Sequence, residues 1–265
     1  LFDRRTLNRR IQDGRQIRDQ CLALLDERAE ASGQQQATSV LNRYRALDDT
    51  QKAAFFAFLN DELDLDAGAV AARAEAYQSD PTGANYAALT AAAESRRQRL
   101  FRKLNAAPGA TAEIVKMRKD LLAQMRDTPE LARTDHDLVH LLRSWFNRGF
   151  LVLRQITWDS PASTLEKIIA YEAVHQIQTW DDLRRRLHPA DRRCFAFFHP
   201  AMPDEPLIFV EVALTKGIPT SIQSVLSDTR EAIDEAEANT AVFYSISNCQ
   251  DGLAKISFGN SLIKQ

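Results

Sequence analysis

The sequence predicts two parts of different class: an all-α helical bundle over residues 1–148, then a mixed α/β domain over residues 149–265. Three observations predict this. The first part is rich in Ala, Leu, Arg, Glu and Gln, all good helix formers. Only Pro81, Pro108 and Pro129 precede residue 150, whereas Pro161, Pro189, Pro200, Pro203, Pro206 and Pro219 follow it. Near Gly149 the hydrophobic period also changes, from helical spacing to short apolar runs.

In chain order, Leu7, Ile11, Ile17, Cys21, Leu24 and Leu25 recur at helical spacing. The polar stretch Asp49 to Lys52 precedes Phe55-Phe-Ala-Phe-Leu59, a polar start to an apolar helix. Leu63 to Tyr77 reads as a helix stopped at Ser79-Asp-Pro81, and Tyr86 to Leu104 as one stopped at Pro108-Gly109. Thr111 to Met125 and Asp135 to Trp145 complete the bundle, and the short turns predict antiparallel neighbours. After the switch, Thr164 to Tyr171 and Trp180 to Leu187 read as helices. Cys194 to Phe198 and Leu207 to Leu214 read as strands, with Pro203-Asp-Glu-Pro206 turning them into an antiparallel hairpin. Thr240 to Ser247 is a further strand. Gln250-Asp-Gly-Leu253 is a turn, Ile256 to Phe258 is extended, and Gly259-Asn260 opens a helix.

Composition bounds the function. The chain has 265 residues, 45% apolar and 26% charged, with a net charge of -2. Those values fit a globular protein with a sizeable core and give no global attraction to nucleic acid or to acidic membrane. No apolar run approaches the ~18 residues that span a bilayer. The start, Leu1-Phe-Asp-Arg-Arg5, has no apolar signal region and no Met, so the numbering is expected to begin inside a longer product. Cys21, Cys194 and Cys249 are odd in number and far apart, which favours a reducing, cytoplasmic compartment.

Several patterns carry candidate chemistry. His136 and His140 stand four apart on a helix, as two zinc ligands would, but no third ligand is evident and a polar helix face is the simpler reading. Arg184-Arg-Arg186 with Arg192-Arg193, and Arg96-Arg97 with Arg99, Arg102 and Lys103, read as solvated helix faces, with anion contact as the alternative. His175, His188 and His199 lack a nucleophile motif and read as structural, His199-Pro200 as part of a turn. The end of the chain is the most informative part. A strand, a Gly turn and a helix start aim free backbone N–H groups and a helix dipole at one point, where a diphosphate or carboxylate would bind.

Trp145-Phe-Asn-Arg-Gly-Phe-Leu151, Thr157-Trp-Asp-Ser-Pro161, Tyr171-Glu-Ala-Val-His175 and Phe198-His-Pro-Ala-Met-Pro-Asp-Glu-Pro-Leu207 follow one another along the chain. Val212-Ala-Leu-Thr215, Ser221-Ile-Gln223, Phe243-Tyr-Ser-Ile-Ser247 and Gly252 to Lys264 come after them. In this order and spacing they resemble the malonyl-CoA decarboxylase family, most strongly from Trp145 onward. The resemblance implies a helical domain used in homo-oligomer (tetramer) assembly and a catalytic domain with a GNAT-like acyltransferase fold. It implies malonyl-CoA as substrate, acetyl-CoA and carbon dioxide as products, and no metal or organic cofactor. It assigns the cradle for the coenzyme A diphosphate to Ala254, Lys255, Ile256, Ser257, Phe258, Gly259 and Asn260.

The family's catalytic Ser, in a Ser-Pro-Ile-Pro-Gly type of segment, and its later His have no counterpart here. The resemblance places both beyond Gln265, so no catalytic residue is assigned within the chain. Ser257 stands where some relatives carry an acid. The expectation is therefore a whole helical domain followed by a catalytic domain that stops short at Gln265, inactive by itself, with an exposed edge on an unfinished sheet. Two other classes stay open: an acyl-CoA-dependent acyltransferase and a non-enzymatic helical assembly module.

Overall fold

A computed structural model describes residues 4–227 and 229–256, with side chains from residue 15 onward. It divides into two compact units, residues 1–145 and 146–265.

The first unit is helical: α1 (Arg4–Asp26), α2 (Glu30–Arg45), α3 (Asp49–Asp61), α4 (Ala67–Ser79), α5 (Gly83–Ala92), α6 (Arg96–Asn105), α7 (Ala110–Gln124) and α8 (Ala132–Trp145). One core gathers Ile17, Leu24, Phe56, Leu59, Phe101, Ile114 and Leu138, among others. The aromatic run of α3 is started by a capping box, in which Asp48 accepts from the Gln51 N–H and the Gln51 side chain accepts from the Asp48 N–H.

Three expectations change here. Helix α2 is additional. Its core face is only Ala37, Val40, Leu41 and Tyr44 amid polar residues, so the helical period is present but faint. The expected helix from Leu63 starts instead at Ala67, because the Asp66 carboxylate accepts from the Ala69 N–H at 2.9 Å. The expected helix from Tyr86 to Leu104 is broken into α5 and α6. Ser95 caps α6 by accepting from the Gln98 N–H at 3.2 Å, and a run of good helix formers on both sides conceals that cap in the sequence.

The break serves a buried polar network. The Ser95 hydroxyl donates to Asp137 at 2.8 Å, and the Arg97 guanidinium donates to the same carboxylate at 2.5 Å, to Asp64 at 2.7 Å and to the Asn60 carbonyl at 3.1 Å. Arg118, fully buried, pairs with Asp135 at 2.7 Å. The two His of α8, His136 and His140, are exposed, and their Asp neighbours point inward. Helices α4 and α5 form a hairpin with no buried residue, closed by the Tyr77 and Tyr86 rings at 5.8 Å.

The second unit runs β1 (Val152–Ile156), α9 (Ala162–Tyr171), α10 (Trp180–Leu187), β2 (Arg192–Phe198), β3 (Ile208–Thr215), α11 (Ile222–Leu226) and β4 (Thr240–Asn248). The sheet order is β1-β2-β3-β4 and every pairing is antiparallel. The described part is thus α+β rather than the expected α/β, because each connection, including the one through α9 and α10, returns the chain in the opposite sense. Leu165, Ile168, Leu183 and Leu187 from the helices pack with Cys194, Ala196, Phe198 and Phe209 from the sheet. Strand β3 is buried over six successive residues, as a central strand is.

The β2–β3 hairpin forms as expected, and the His199 ring accepts from the Ala201 N–H at 3.1 Å within its turn. Strand β1 is additional to the expected strands. Four of its five residues are exposed, so an edge position leaves no burial pattern to read. Among the described residues no strand pairs with the outer edge of β4. Among them, too, no helix is long and apolar enough to cross a membrane.

Asp137→Ala would take from the buried Arg97 one of its two carboxylate partners, leaving Asp64, and would leave Ser95 without its acceptor. It should cost about 3–5 kcal/mol in urea denaturation, and a loss below about 1 kcal/mol would mean that the network is not structural.

Candidate functional site

The register of β3 against β4 slips between Glu211 and Val212. Glu211 faces Ser245 and Val212 faces Phe243, which leaves Tyr244 opposite no residue. This is a β-bulge, a device that re-aims side chains. Its effect is visible in the burial: Tyr244 and the next residue, Ser245, are both buried, although alternation would send one of them outward.

The bulge helps to present a row of polar side chains under the sheet. Glu172 ends α9 and is buried. Its carboxylate accepts from the N–H groups of Val174 (2.9 Å) and His175 (2.7 Å), from the Ser245 hydroxyl (2.8 Å) and from the Ser247 hydroxyl (3.2 Å). The segments Tyr171 to His175 and Phe243 to Ser247, far apart in sequence, therefore meet at one carboxylate. The His175 and Tyr244 rings lie 6.3 Å apart beside it.

Glu211 lies next in this row, fully buried, and accepts from Arg186 at 3.0 Å. Its second oxygen and the Tyr244 hydroxyl are buried without a hydrogen bond of good geometry among the described residues. Burial pushes the Glu211 carboxyl up to about 7, Arg186 opposes the shift, and the charge of Glu172 adds to it. Burial likewise raises the Tyr244 phenol and the Cys194 and Cys249 thiols. Thiols raised in this way are inert at neutral pH, so neither cysteine is placed to act as a nucleophile.

The chain leaves β4 into the expected ligand loop. Its start is pinned by the Cys249 N–H on the Leu207 carbonyl (3.0 Å) and by the Gln250 side chain on the Pro206 carbonyl (3.1 Å). A single helical turn over Asp251–Leu253 follows. Ala254 and Lys255 are exposed and Ile256 is buried. The N–H groups of Ala254 and Ile256 donate to the Asp251 and Leu253 carbonyls, so these two are spent inside the loop and not held free for an anion. Lys255 has φ +66, a left-handed conformation that costs a residue with a Cβ about 1 kcal/mol or more. Ser257, Phe258, Gly259 and Asn260, the rest of the expected site, lie outside the described residues, as does the helix expected after them. Gln265, the residue beyond which the catalytic Ser and His are expected, also lies outside the described residues. The expectation of a catalytic domain cut short there is therefore not answered by the fold.

The bulge cluster is absent from the sequence-based expectations. Its signal is present as Ser245 and Ser247, two hydroxyls at alternate positions of an apolar strand, and as Glu211 within a run of branched residues. The basic clusters also need correcting. Arg97, Arg186 and Arg192 are buried and bonded, so only part of each cluster is a solvated face. Among the described residues no three His, Cys, Asp or Glu side chains converge as metal ligands would.

Two family models match the chain: the malonyl-CoA decarboxylase C-terminal domain over residues 149–265 and the malonyl-CoA decarboxylase N-terminal domain over residues 64–146. The chain belongs to the malonyl-CoA decarboxylase family. The crystal structure of the decarboxylase from Rhodopseudomonas palustris is similar at a TM-score of 0.90 and 53% identity, over 95% of this chain and 61% of that one. The mitochondrial enzyme of Mus musculus is 33% identical over 256 residues, which are 91% of this chain and 52% of that protein. The mitochondrial enzyme of Anser anser anser is 43% identical over 176 residues, 64% of this chain and 35% of that protein. The chain thus spans about a third to a half of the curated relatives it matches.

The raised Glu211 carboxyl makes a signed prediction. Folded Glu211 keeps its proton up to about pH 7, whereas an unfolded Glu loses it near pH 4.3. The folded chain binds more protons in that window, so this group's contribution to stability falls as pH rises from about 4.5 to about 7, by roughly 3 kcal/mol in all. In urea titrations at pH 5 and pH 8, Glu211→Gln should lose less stability than wild type between the two; equal losses would contradict the assignment.

Proposed function

We propose that this chain serves the decarboxylation of malonyl-CoA to acetyl-CoA and carbon dioxide. The observation that carries the reading is that both domain models of one family match in order, on a backbone that follows a crystallised member at a TM-score of 0.90. Loss of carbon dioxide leaves an enolate on the thioester. The reaction then needs a carboxylate held out of the thioester plane, an oxyanion stabilised and a proton delivered. The thioester itself spreads the enolate charge, so no metal or organic cofactor is invoked.

We assign the coenzyme A diphosphate to the loop from Ala254 to Asn260. Two features support this. The loop leaves the last strand of the described sheet, and its non-glycine Lys255 is held left-handed, a strain that collects at ligand-binding turns. Since Ala254 and Ile256 have spent their N–H groups, the anion would be met by Lys255 and by residues 257–260. We read the second unit as GNAT-like on the same grounds: an antiparallel sheet, helices packed on one face, and a Gly-containing loop after β4. The bulged row Glu172, Glu211, Tyr244, Ser245 and Ser247 would support the acyl end of that site.

We also infer that the helical unit assembles a homo-oligomer, a tetramer by the family resemblance. The support is the α4–α5 hairpin, alanine-rich yet without a buried residue. Three buried, unpaired cysteines support a reducing compartment, which we take to be the cytoplasm; the mitochondrial address in two relatives' names is theirs. An acyltransferase remains the second reading, since a GNAT-like fold serves it equally.

Gly259→Asp would add bulk and negative charge where phosphate sits. It should weaken coenzyme A binding in calorimetry at least tenfold, and unchanged affinity would remove the loop assignment. The sequence up to Gln265 contains no Ser-Pro-Ile-Pro-Gly segment, so these 265 residues alone should bind malonyl-CoA but release no acetyl-CoA. Acetyl-CoA formation at the rate of a whole relative would contradict that. For assembly, Ala71→Arg with Ala74→Arg on the exposed side of α4 should lower the mass in sedimentation velocity with helicity unchanged; an unchanged mass would place the interface elsewhere.

A further inference from the structure

A cleft of about 170 Å³ opens beside the bulge cluster, lined by Asp182, Arg185, Arg186, Arg192 and Arg230 with apolar residues from α11. Among the described residues four cations and one carboxylate face it, in a chain whose net charge is -2. Two of the arginines, Arg186 and Arg192, are almost wholly buried. Like charges gathered at a buried wall repel one another unless something of opposite sign joins them.

Among the described residues the carboxylates do not complete the balance. Asp182 is held by its helix-capping bonds and by Arg185, Asp191 takes Arg230 in a two-bond fork at 2.5 and 3.1 Å, and Glu211 takes Arg186 at 3.0 Å. Arg192 is left over. Its guanidinium donates to the Val225 carbonyl at 2.5 Å and lies over the Tyr244 ring at 5.9 Å, and among the described residues it forms no ion pair. A guanidinium carries five N–H donors, so most of this one's capacity is unused by protein.

We propose that the cleft binds a small oxyanion of the phosphate class, gripped by Arg192 with Arg186 and Arg230. The cleft has room for a phosphate, and its arginine lining sets the charge of the ligand. Its place sets it apart from the coenzyme A loop. Arg192 pairs with Ala213, which pairs with Val242, whereas the loop leaves the sheet beyond Asn248. Six residues of strand put the two roughly 20 Å apart. Burial and the charge of Arg230 depress the Arg192 guanidinium further than Tyr244, Asp191 and Glu211 restore it, and a bound anion would relieve what remains. The bound anion would also be coupled to the bulge, because Arg186 donates to Glu211 and Arg192 lies over the Tyr244 ring.

The test is calorimetric titration of the 265-residue chain with inorganic phosphate, against sodium chloride of equal ionic strength. Saturable phosphate binding that chloride does not mimic is expected, weakened at least tenfold by Arg192→Gln. Should that variant fail to fold by circular dichroism, Arg230→Lys decides. It keeps a charge beside Asp191 but lacks the planar fork, and it should bind several-fold more weakly. A competing titration with adenosine 3′,5′-bisphosphate separates the sources. Competition means that the phosphate arrives on a nucleotide end, and no competition means a free oxyanion. No phosphate effect beyond chloride, or wild-type affinity in the folded variants, overturns the site.

Discussion

The second unit depends on one buried carboxylate. Glu172 is removed from water at the end of α9, a position that would be costly for a charge without partners. It is held by two backbone N–H groups of its own turn and by two serine hydroxyls of β4. Bonds to a charged acceptor are the stronger kind, and here they reach across more than 70 residues of chain. The connection from α9 to α10 is thereby fixed to the strand whose far end leads into the loop proposed for coenzyme A. The bulge at Tyr244, the inward Glu211 and its Arg186 all sit around this anchor, so the loop is presented from a rigid strand end.

The helical unit uses a related device in a different way. Arg97 and Arg118 are buried with their carboxylates satisfied from several helices. Such pairs add little net stability over apolar packing, but they penalise any arrangement that separates the partners. Charge thus fixes which helices meet, while the apolar core supplies the driving force.

How far the fold can be read in the sequence follows from the same physics. Elements with a strong period or a hard stop are legible: the Phe55 to Leu59 run, the prolines around residues 81 and 129, and the β2–β3 hairpin with its Pro-bounded turn. Elements whose identity depends on burial are not. Helix α2 shows its core one small face at a time, β1 is an edge strand, and Ser95 breaks a helix that propensity would continue. The turn after β4 is legible as far as Ile256, because Gln250-Asp-Gly-Leu253 is a local turn signal. The polar row beneath β4 is not, because Glu172, Glu211 and Ser245 join only when the bulge turns two consecutive residues inward. The arginines mislead for the same reason: a run of like charges looks solvated until acceptors distant in sequence, such as Asp137 for Arg97 and Glu211 for Arg186, bury some of the heads.

The anchor can be tested most directly by amide hydrogen exchange on Glu172→Ala. Residues 240–248 should lose protection by at least tenfold, together with Val174 and His175, while the β2–β3 hairpin keeps its own. Protection that is unchanged in β4, or lost evenly across the whole unit, would contradict the claim that this one carboxylate ties the strand to the helices.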